Sequence, residues 1–279
     1  MKNCRQDEHH SNAKKLIPKL SSTSIELTSA IEVLDEKKRK KSIFIPAERP
    51  LTIYLNKKEL VTLMTLGSRP EDLVLGYLRN QRIIKKLDDI VSIQVDWDVN
   101  SAAVISNTYE AQQTSKRTVT TGCGQGTIFG DIQADLDKLV LSQRSQLTQS
   151  TLTEIIDVMR RHDSVYKKAG SVHGCALFKG AEMLMFVEDV GRHNAVDSIA
   201  GKMWLESLEG EGLVFYTTGR LTSEMVIKGA QMNIPFLLSR SGVTQMGVQM
   251  AKKVNLSLFG RCSGKHFYLY SSWQRFVYD

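Results

Sequence analysis

The chain has 279 residues, of which 42% are hydrophobic and 24% charged, and it carries a formal net charge of +7 at pH 7. These values are ordinary for a folded globular protein and exclude a fibrous or wholly disordered chain. No apolar stretch is long enough for a membrane span and no signal-peptide core follows the N-terminal charges, so we expect a cytoplasmic protein without membrane contact.

The four cysteines, Cys4, Cys123, Cys175 and Cys262, are far apart and form no CxxC pair. This spacing argues against a disulfide framework and against a structural zinc site. No permanent metal is therefore predicted, and each thiol has to be considered by itself.

Residues 1–41 are polar and basic and predict a mobile leader that ends in a weak strand at residues 25–33. Within this segment, residues 36–41 read EKKRKK. A short basic run of this kind is typical of a solvated surface, so nucleic acid is not an expected partner.

Residues 42–145 predict a small, β-rich α+β domain. Segments 51–55 and 59–65 flank a short polar turn and indicate a hairpin, which a helix beginning near Pro70 follows. A second hairpin is expected from residues 90–95 and 102–106. A short β-branched strand at residues 117–121 then enters a glycine-rich turn. The polar segment 143–149 predicts the linker to the second domain.

Residues 146–279 predict an α/β domain. Thr151 and Glu154 have capping-box spacing, and the apolar positions after them indicate a helix that ends near His162. A hairpin over residues 174–178 and 182–188 and a helix follow. Strands are then expected at 213–217, 235–239, 255–260 and 266–270, with helices at 222–232 and 243–254. This alternation favours a mostly parallel sheet with helices on both faces.

Cys123 lies between Gly122 and Gly124, with Gly126 close by. Glycines let the backbone adopt positive φ and leave the neighbouring sulfur unshielded. Cys175, in contrast, lies in the apolar run Cys-Ala-Leu-Phe, which is typical of a thiol that packs as a small hydrophobe. We therefore predict that Cys123 is an exposed, reactive thiol, and that nearby positive charge stabilises its thiolate.

The sequence Glu-Asp-Val-Gly-Arg-His-Asn at residues 188–194 joins a predicted strand to a predicted helix. Ligands of α/β sheets collect at such junctions, so Arg192 and His193 are candidate binding residues. The alternative interpretation is an ion-paired helix cap without a ligand.

Further candidate anion-binding residues follow the later strands. Arg220 and Ser223 lie in one strand-to-helix loop and Arg240 lies in the next. Hydroxyls, helix-start N–H groups and arginine suit phosphate or pyrophosphate. A last polar loop contains Arg261, Cys262, Ser263, Gly264, Lys265 and His266; it could close over the same ligand or be a simple turn.

The order of TTGCG, SVHGCALF, EDVGRHNAVD, TTGRLTSEM and LSLFGRC resembles the FdhD family of formate dehydrogenase accessory sulfurtransferases, over about residues 46–270. The resemblance implies a cytidine-deaminase-like α/β/α fold for the second domain. The zinc signature H-x-E with P-C-x-x-C is missing, which argues against zinc-dependent deamination.

The resemblance also implies a function. Cys123 stands at the position of the family's persulfide cysteine, which receives sulfur from a cysteine desulfurase. The sulfur would pass to molybdenum bis(molybdopterin guanine dinucleotide), the cofactor of formate dehydrogenase. The loop 261–266 aligns with the family's cofactor-binding segment, although Lys265 and His266 stand where relatives show an arginine. Family likeness also favours a homodimer.

One departure from the family pattern concerns Gly126. Many members read CGxCG, with a second cysteine at this position, so Cys123 would have to act without it. Two other functions stay open: a cofactor-binding chaperone without covalent sulfur chemistry, and a thiol redox sensor. His173, His193 and Arg192 are candidates for activating Cys123.

Overall fold

The computed structural model describes residues 17–108, the backbone of residues 117–119, and residues 139–279. The described chain is a mixed α/β structure with two six-stranded sheets and two two-stranded sheets. None of the described helices is long and apolar enough to cross a membrane.

Strand pairing begins inside the segment predicted as a leader. Strand β1 (Lys19–Leu20) pairs in parallel with a strand of the first large sheet, while β2 (Thr28–Leu34) and β3 (Lys40–Pro46) form an antiparallel hairpin. The strand predicted at residues 25–33 is therefore present, three residues later than expected at its start. This strand is stable because β3, which follows the basic turn, pairs with it.

The predicted elements of the first half are confirmed. Strands β4 (Arg49–Leu55) and β5 (Lys58–Thr65) form one hairpin and β6 (Ile90–Asp96) and β7 (Ser101–Ser106) the other, with helix α1 (Pro70–Asn80) between them. Asn56 and Lys57 both have positive φ, as a tight two-residue hairpin turn requires. With β8 (Arg117–Val119), the sheet order is β1-β6-β7-β4-β5-β8.

The second half contains the other large sheet. Its elements, in chain order, are β9 (Leu147–Thr148), α2 (Gln149–Arg161), α3 (Val165–Ala169), β10 (His173–Lys179), β11 (Glu182–Asp189), α4 (Arg192–Leu205), β12 (Leu213–Thr217), α5 (Ser223–Gln231), β13 (Phe236–Ser239), α6 (Gln245–Lys253), β14 (Ser257–Ser263), β15 (His266–Leu269) and β16 (Phe276–Val277).

The prediction of a mostly parallel sheet is wrong. The order is β11-β10-β12-β13-β14-β15, and only the two pairings within β12-β13-β14 are parallel. Short turns join β10 to β11 and β14 to β15, and a short turn makes two neighbouring strands antiparallel. The sheet therefore has parallel strands at its centre and antiparallel pairings toward both of its edges.

Helices cover both faces of this sheet, as predicted. On one face, α2 packs Leu152 and Ile155 against strand residues that include Phe178 and Phe236. On the other face, α4, α5 and α6 bury a larger core around Phe215. The sheet therefore separates two hydrophobic cores. The edge at which the parallel strands β12, β13 and β14 end, the carboxyl edge, lies between these cores.

Two glycines let the halves of the chain pack closely. Helices α1 and α4 cross at Gly76 and Gly201, and a Cβ on Gly76 would lie 1.7 Å from the carbonyl oxygen of Asp197. A Cβ on Gly201 would lie 1.9 Å from the carbonyl oxygen of Asp72. Only glycine fits at either position while the backbones stay where they are.

Two local predictions are wrong. Thr148, and not Thr151, caps α2: its hydroxyl accepts a hydrogen bond from the Thr151 N–H at 3.2 Å. The helix starts earlier because Asp279, at the far end of the chain, accepts hydrogen bonds from Ser150 in its first turn. Strand β14 also extends beyond the predicted end at residue 260, to Ser263.

Candidate functional site

A cavity of about 290 Å³ opens at the carboxyl edge of the second sheet, on the α2 face. Four predicted residues line it: Arg240, Cys262, Ser263 and Gly264. The ends of β13 and β14 bring them together. Cations and aromatic groups of α2, α3 and the strands complete the wall; they include Arg160, His162, Tyr166, Lys167, Phe186 and Tyr216.

The remaining residues of the predicted loop do not line this cavity. Arg261, Lys265 and His266 are exposed, and the His266 ring contacts the ring of Tyr268 edge-on. Arg261 has a φ of +54° at an irregular point of the β14–β15 pairing. Of the six residues of the predicted loop, Cys262, Ser263 and Gly264 therefore line the cavity, and binding of a ligand by the loop stays a prediction.

Glu188 also lines the cavity, and its carboxylate caps a helix. The Val165 N–H donates to Oε2 at 2.6 Å and the Tyr166 N–H donates to Oε1 at 3.0 Å, both at the start of α3. A carboxylate at a helix start satisfies free N–H groups and complements the helix dipole. The interpretation of the 188–194 segment as an ion-paired cap of the following helix does not apply to Glu188, which caps α3 through backbone N–H groups.

Asp189 joins the two halves of the molecule. It is 2% exposed and accepts hydrogen bonds from the Thr65 hydroxyl and the Leu66 N–H of the first half. The Gly191 N–H and the Asn194 amide donate to its other oxygen. Burial raises the pKa of Asp189 to about 6, although these donors act to lower it. Asp189 has a structural role.

A second cationic cluster lies on the opposite face of the sheet, at the starts of α4 and α5. A Cβ on Gly219 would lie 3.1 Å from Cδ of Arg192 and 3.4 Å from Nδ1 of His173. Burial and the charges of Arg192, His193 and Arg220 lower the pKa of His173. Burial and the charge of Arg220 likewise lower the pKa of Arg192. Such a concentration of positive charge favours an anion.

His193 faces the interior from this cluster. Its Nε2 lies 3.1 Å from Oε2 of Glu224, and both residues are buried. Ser223, the other predicted residue of this region, is partly exposed in the first turn of α5. The predicted binding residues are thus divided between two faces of one sheet, because α4 and α5 cover the face opposite to Cys262.

The described cysteines are unsuited to nucleophilic chemistry. Cys175 and Cys262 are 0% and 1% exposed, and burial raises the pKa of each thiol to about 12. A thiol with so high a pKa carries almost no thiolate at neutral pH. Cys123 with Gly122, Gly124 and Gly126 lies outside the described residues, so its role stays a prediction.

Sequence reasoning missed a buried ion pair next to the second cluster. Lys228 of α5 lies 2.9 Å from Asp197 of α4, and Lys228 is also 3.8 Å from Glu224. The signal in the sequence was weak but present: Lys228 follows Glu224 by four residues and stands among apolar neighbours on a helix that packs against the core.

The FdhD/NarQ family model matches residues 46–277 of the chain. The chain belongs to this family. The sulfur carrier protein FdhD of Listeria monocytogenes serotype 4b is 30% identical over 236 residues, which cover 83% of this chain and 90% of that protein. The sulfur carrier protein FdhD of Wolinella succinogenes is 28% identical over 227 residues, or 80% of this chain and 79% of that one.

One solved structure has a fold similar to that of this chain. The crystal structure described as a formate dehydrogenase accessory protein from Desulfotalea psychrophila superposes with a TM-score of 0.72 at 24% identity. The match covers 90% of this chain and 98% of that one. The likeness establishes that the two chains share their fold.

Proposed function

We propose that this chain is a sulfur carrier that acts in the maturation of formate dehydrogenase. Family membership over residues 46–277 carries the proposal, together with relatives named as sulfur carriers that align with most of the chain. The Desulfotalea psychrophila protein supplies the link to formate dehydrogenase. The second half would belong to the cytidine-deaminase-like folds, and the protein would act in the cytoplasm as a homodimer.

Cys123 is the proposed sulfur-carrying residue. Its thiolate attacks the outer sulfur of a cysteine desulfurase persulfide, the S–S bond of the desulfurase breaks, and the desulfurase cysteine leaves as a thiolate. Cys123 then carries the persulfide. The choice of Cys123 over Cys175 and Cys262 is supported by the burial and raised pKa of those two thiols.

The proposed acceptor of the sulfur is molybdenum bis(molybdopterin guanine dinucleotide), a substrate and not a resident cofactor. The cavity of about 290 Å³ lies at the lower end of the ~300–1,000 Å³ range of ligand pockets. It therefore suits one nucleotide portion of this cofactor, with Arg160, Lys167 and Arg240 near the phosphates and Tyr216 or Phe186 against the base.

The second cluster offers positive charge to another anionic group of the same substrate. Arg192 and Arg220 are the proposed contacts there, and Ser223 and His193 belong to the same helix starts. Because the sheet edge separates the two clusters, the substrate would have to extend across it. A bis-dinucleotide is long enough to present phosphates on both sides.

The test is intact-protein mass spectrometry after incubation with a cysteine desulfurase and cysteine. The wild type should gain one sulfur atom that a reductant removes, and Cys123→Ala should gain none. Cys262→Ala is the matched control and should behave like the wild type. A gain in Cys123→Ala equal to that of the wild type would reject Cys123, and no gain in any protein would leave binding of the cofactor as the function.

A further inference from the structure

The hairpin of β2 and β3 has an exposed apolar face. Residues alternate between the two faces of a strand, and the pairing of Ile31 with Ile43 and of Ser29 with Ile45 sets which side chains share a face. One face carries Ile31, Val33, Ile43 and Ile45, with Ser29 at the base of the hairpin and Lys41 near its turn. The three isoleucines are 37%, 42% and 37% exposed, respectively.

The other face of this hairpin contacts α3 at one end, while Phe44 and Leu34 on it are 44% and 65% exposed. Ala30 and Phe44 line a groove that also touches α3, and Nζ of Lys168 lies 4.0 Å from the centre of the Phe44 ring. The isoleucine face is thus the one that points away from α3. A two-stranded hairpin by itself is only marginally stable in water. Burial of the isoleucine face against another surface would therefore stabilise the hairpin.

The two ends of the hairpin carry opposite charge. Its turn, residues 36–41, contains five cations. Asp35 and Glu32 pair with three of them, Arg39, Lys40 and Lys41, whereas Lys37 and Lys38 have no ion pair with any residue that the structure describes. At the base, Glu26 and Glu48 are exposed, and Arg49 of the same end is partly buried and donates to the Glu26 carbonyl.

We propose that the isoleucine face of this hairpin is the homodimer interface, packed against the same face of a second copy in antiparallel orientation. A twofold axis then sets the basic turn of each copy beside the acidic base of the other. Seven-residue strands span about 23 Å, so Lys37 and Lys38 would reach Glu26 and Glu48 of the other copy. Face-to-face packing is favoured over edge pairing because it buries the isoleucines.

This inference rests on the homodimer proposed above and is independent of the sulfur chemistry. The hairpin face is smaller than the ~800 Å² per partner of a typical stable interface, so we expect a dissociation constant in the micromolar range. Removal of one apolar contact at its centre should then be enough to separate the copies.

The test is sedimentation velocity of the full chain between about 1 and about 100 µM, a range that spans such an affinity. The wild type should pass from monomer to dimer. Ile43→Lys should raise the dissociation constant at least tenfold, while Val99→Lys, which replaces an apolar residue that is 66% exposed in the β6–β7 turn, should leave it unchanged.

Charge reversal tests the orientation without changing the apolar face. Lys37→Glu with Lys38→Glu should weaken the dimer, Glu26→Lys with Glu48→Lys should weaken it too, and the chain that carries all four changes should recover it. A wild type that stays monomeric would overturn both the homodimer and this interface. A dimer that Ile43→Lys leaves intact would overturn the interface alone, and the persulfide assay tests the sulfur function separately.

Discussion

Lys228 holds its ammonium group 2.9 Å from each carboxylate oxygen of Asp197, and both side chains are almost fully buried. Burial raises the pKa of Asp197 and the charge of Lys228 opposes that rise. The amide of Asn80, on α1, donates to Asp197 at 2.7 Å. The ion pair thus joins α5 to α4, and the hydrogen bond from Asn80 joins α4 to α1 of the first half.

Lys228→Met should strongly destabilise the protein. Removal of one partner leaves a buried, unpaired charge, which costs about 3–5 kcal/mol. Urea unfolding followed by circular dichroism measures the loss. The double variant Lys228→Met with Asp197→Leu should recover part of it, because the fully buried carboxylate of Asp197 is then removed together with its partner. A single variant as stable as the wild type would contradict the importance of this pair.

Gly76→Ala should disrupt the contact between α1 and α4. The added Cβ would lie 1.7 Å from a backbone oxygen, so the helices must separate, and we expect a loss of about 3 kcal/mol or more. Gly242→Ala is the control, because a Cβ there has no atom within 4 Å. The midpoints of thermal unfolding of Gly76→Ala and Gly242→Ala are compared with each other. Equal midpoints would show that α1 and α4 tolerate the added methyl group.

Asp189 should make stability depend on pH. Its folded pKa, about 6, lies above its ordinary value of 3.8, so its favourable contribution is complete below about pH 4 and is lost as the pH rises through 6. Relative to Asp189→Asn, the wild type should lose up to about 3 kcal/mol between pH 4 and pH 7. Urea titrations at each pH measure the free energy of unfolding of both proteins, and a wild type that gains stability relative to Asp189→Asn as the pH rises would contradict the prediction.

The two buried thiols should resist alkylation in the folded protein. Because burial raises the pKa of Cys175 and Cys262 to about 12, iodoacetamide at pH 7.5 should modify neither until urea unfolds the chain. Peptide mass spectrometry of both states identifies the labelled residues. Rapid labelling of Cys262 in the folded protein would make it a second candidate sulfur carrier.

Much of the fold could be predicted from periodicity and turn chemistry. The β4–β5 hairpin, the helix at Pro70 and the alternating units of the second half are local patterns, so short windows of sequence contain their signal. Contacts between distant residues could not be predicted in this way. Asp279 bonds to Ser150 at the start of α2, which is 129 positions away in the sequence. Asp189 bonds to Thr65, which is 124 positions away.

The candidate site shows the same division. Residue type and position after a strand were enough to place Arg192, Arg220 and Arg240 at the carboxyl edge of the sheet. Which face each side chain reaches depends on how α2, α4 and α5 pack, so the sequence did not predict two separate clusters. The contributions of Arg160 and Lys167 depend on helices that reach the edge from elsewhere in the chain.

Complementation tests most directly whether sulfur carried by Cys123 supports formate dehydrogenase. The chain is expressed in a bacterial strain that lacks its own family member, and formate dehydrogenase activity is measured at matched protein levels. The wild type and Cys175→Ala, which changes a thiol outside the cavity, should restore the activity and Cys123→Ala should not. Full activity with Cys123→Ala would contradict the account.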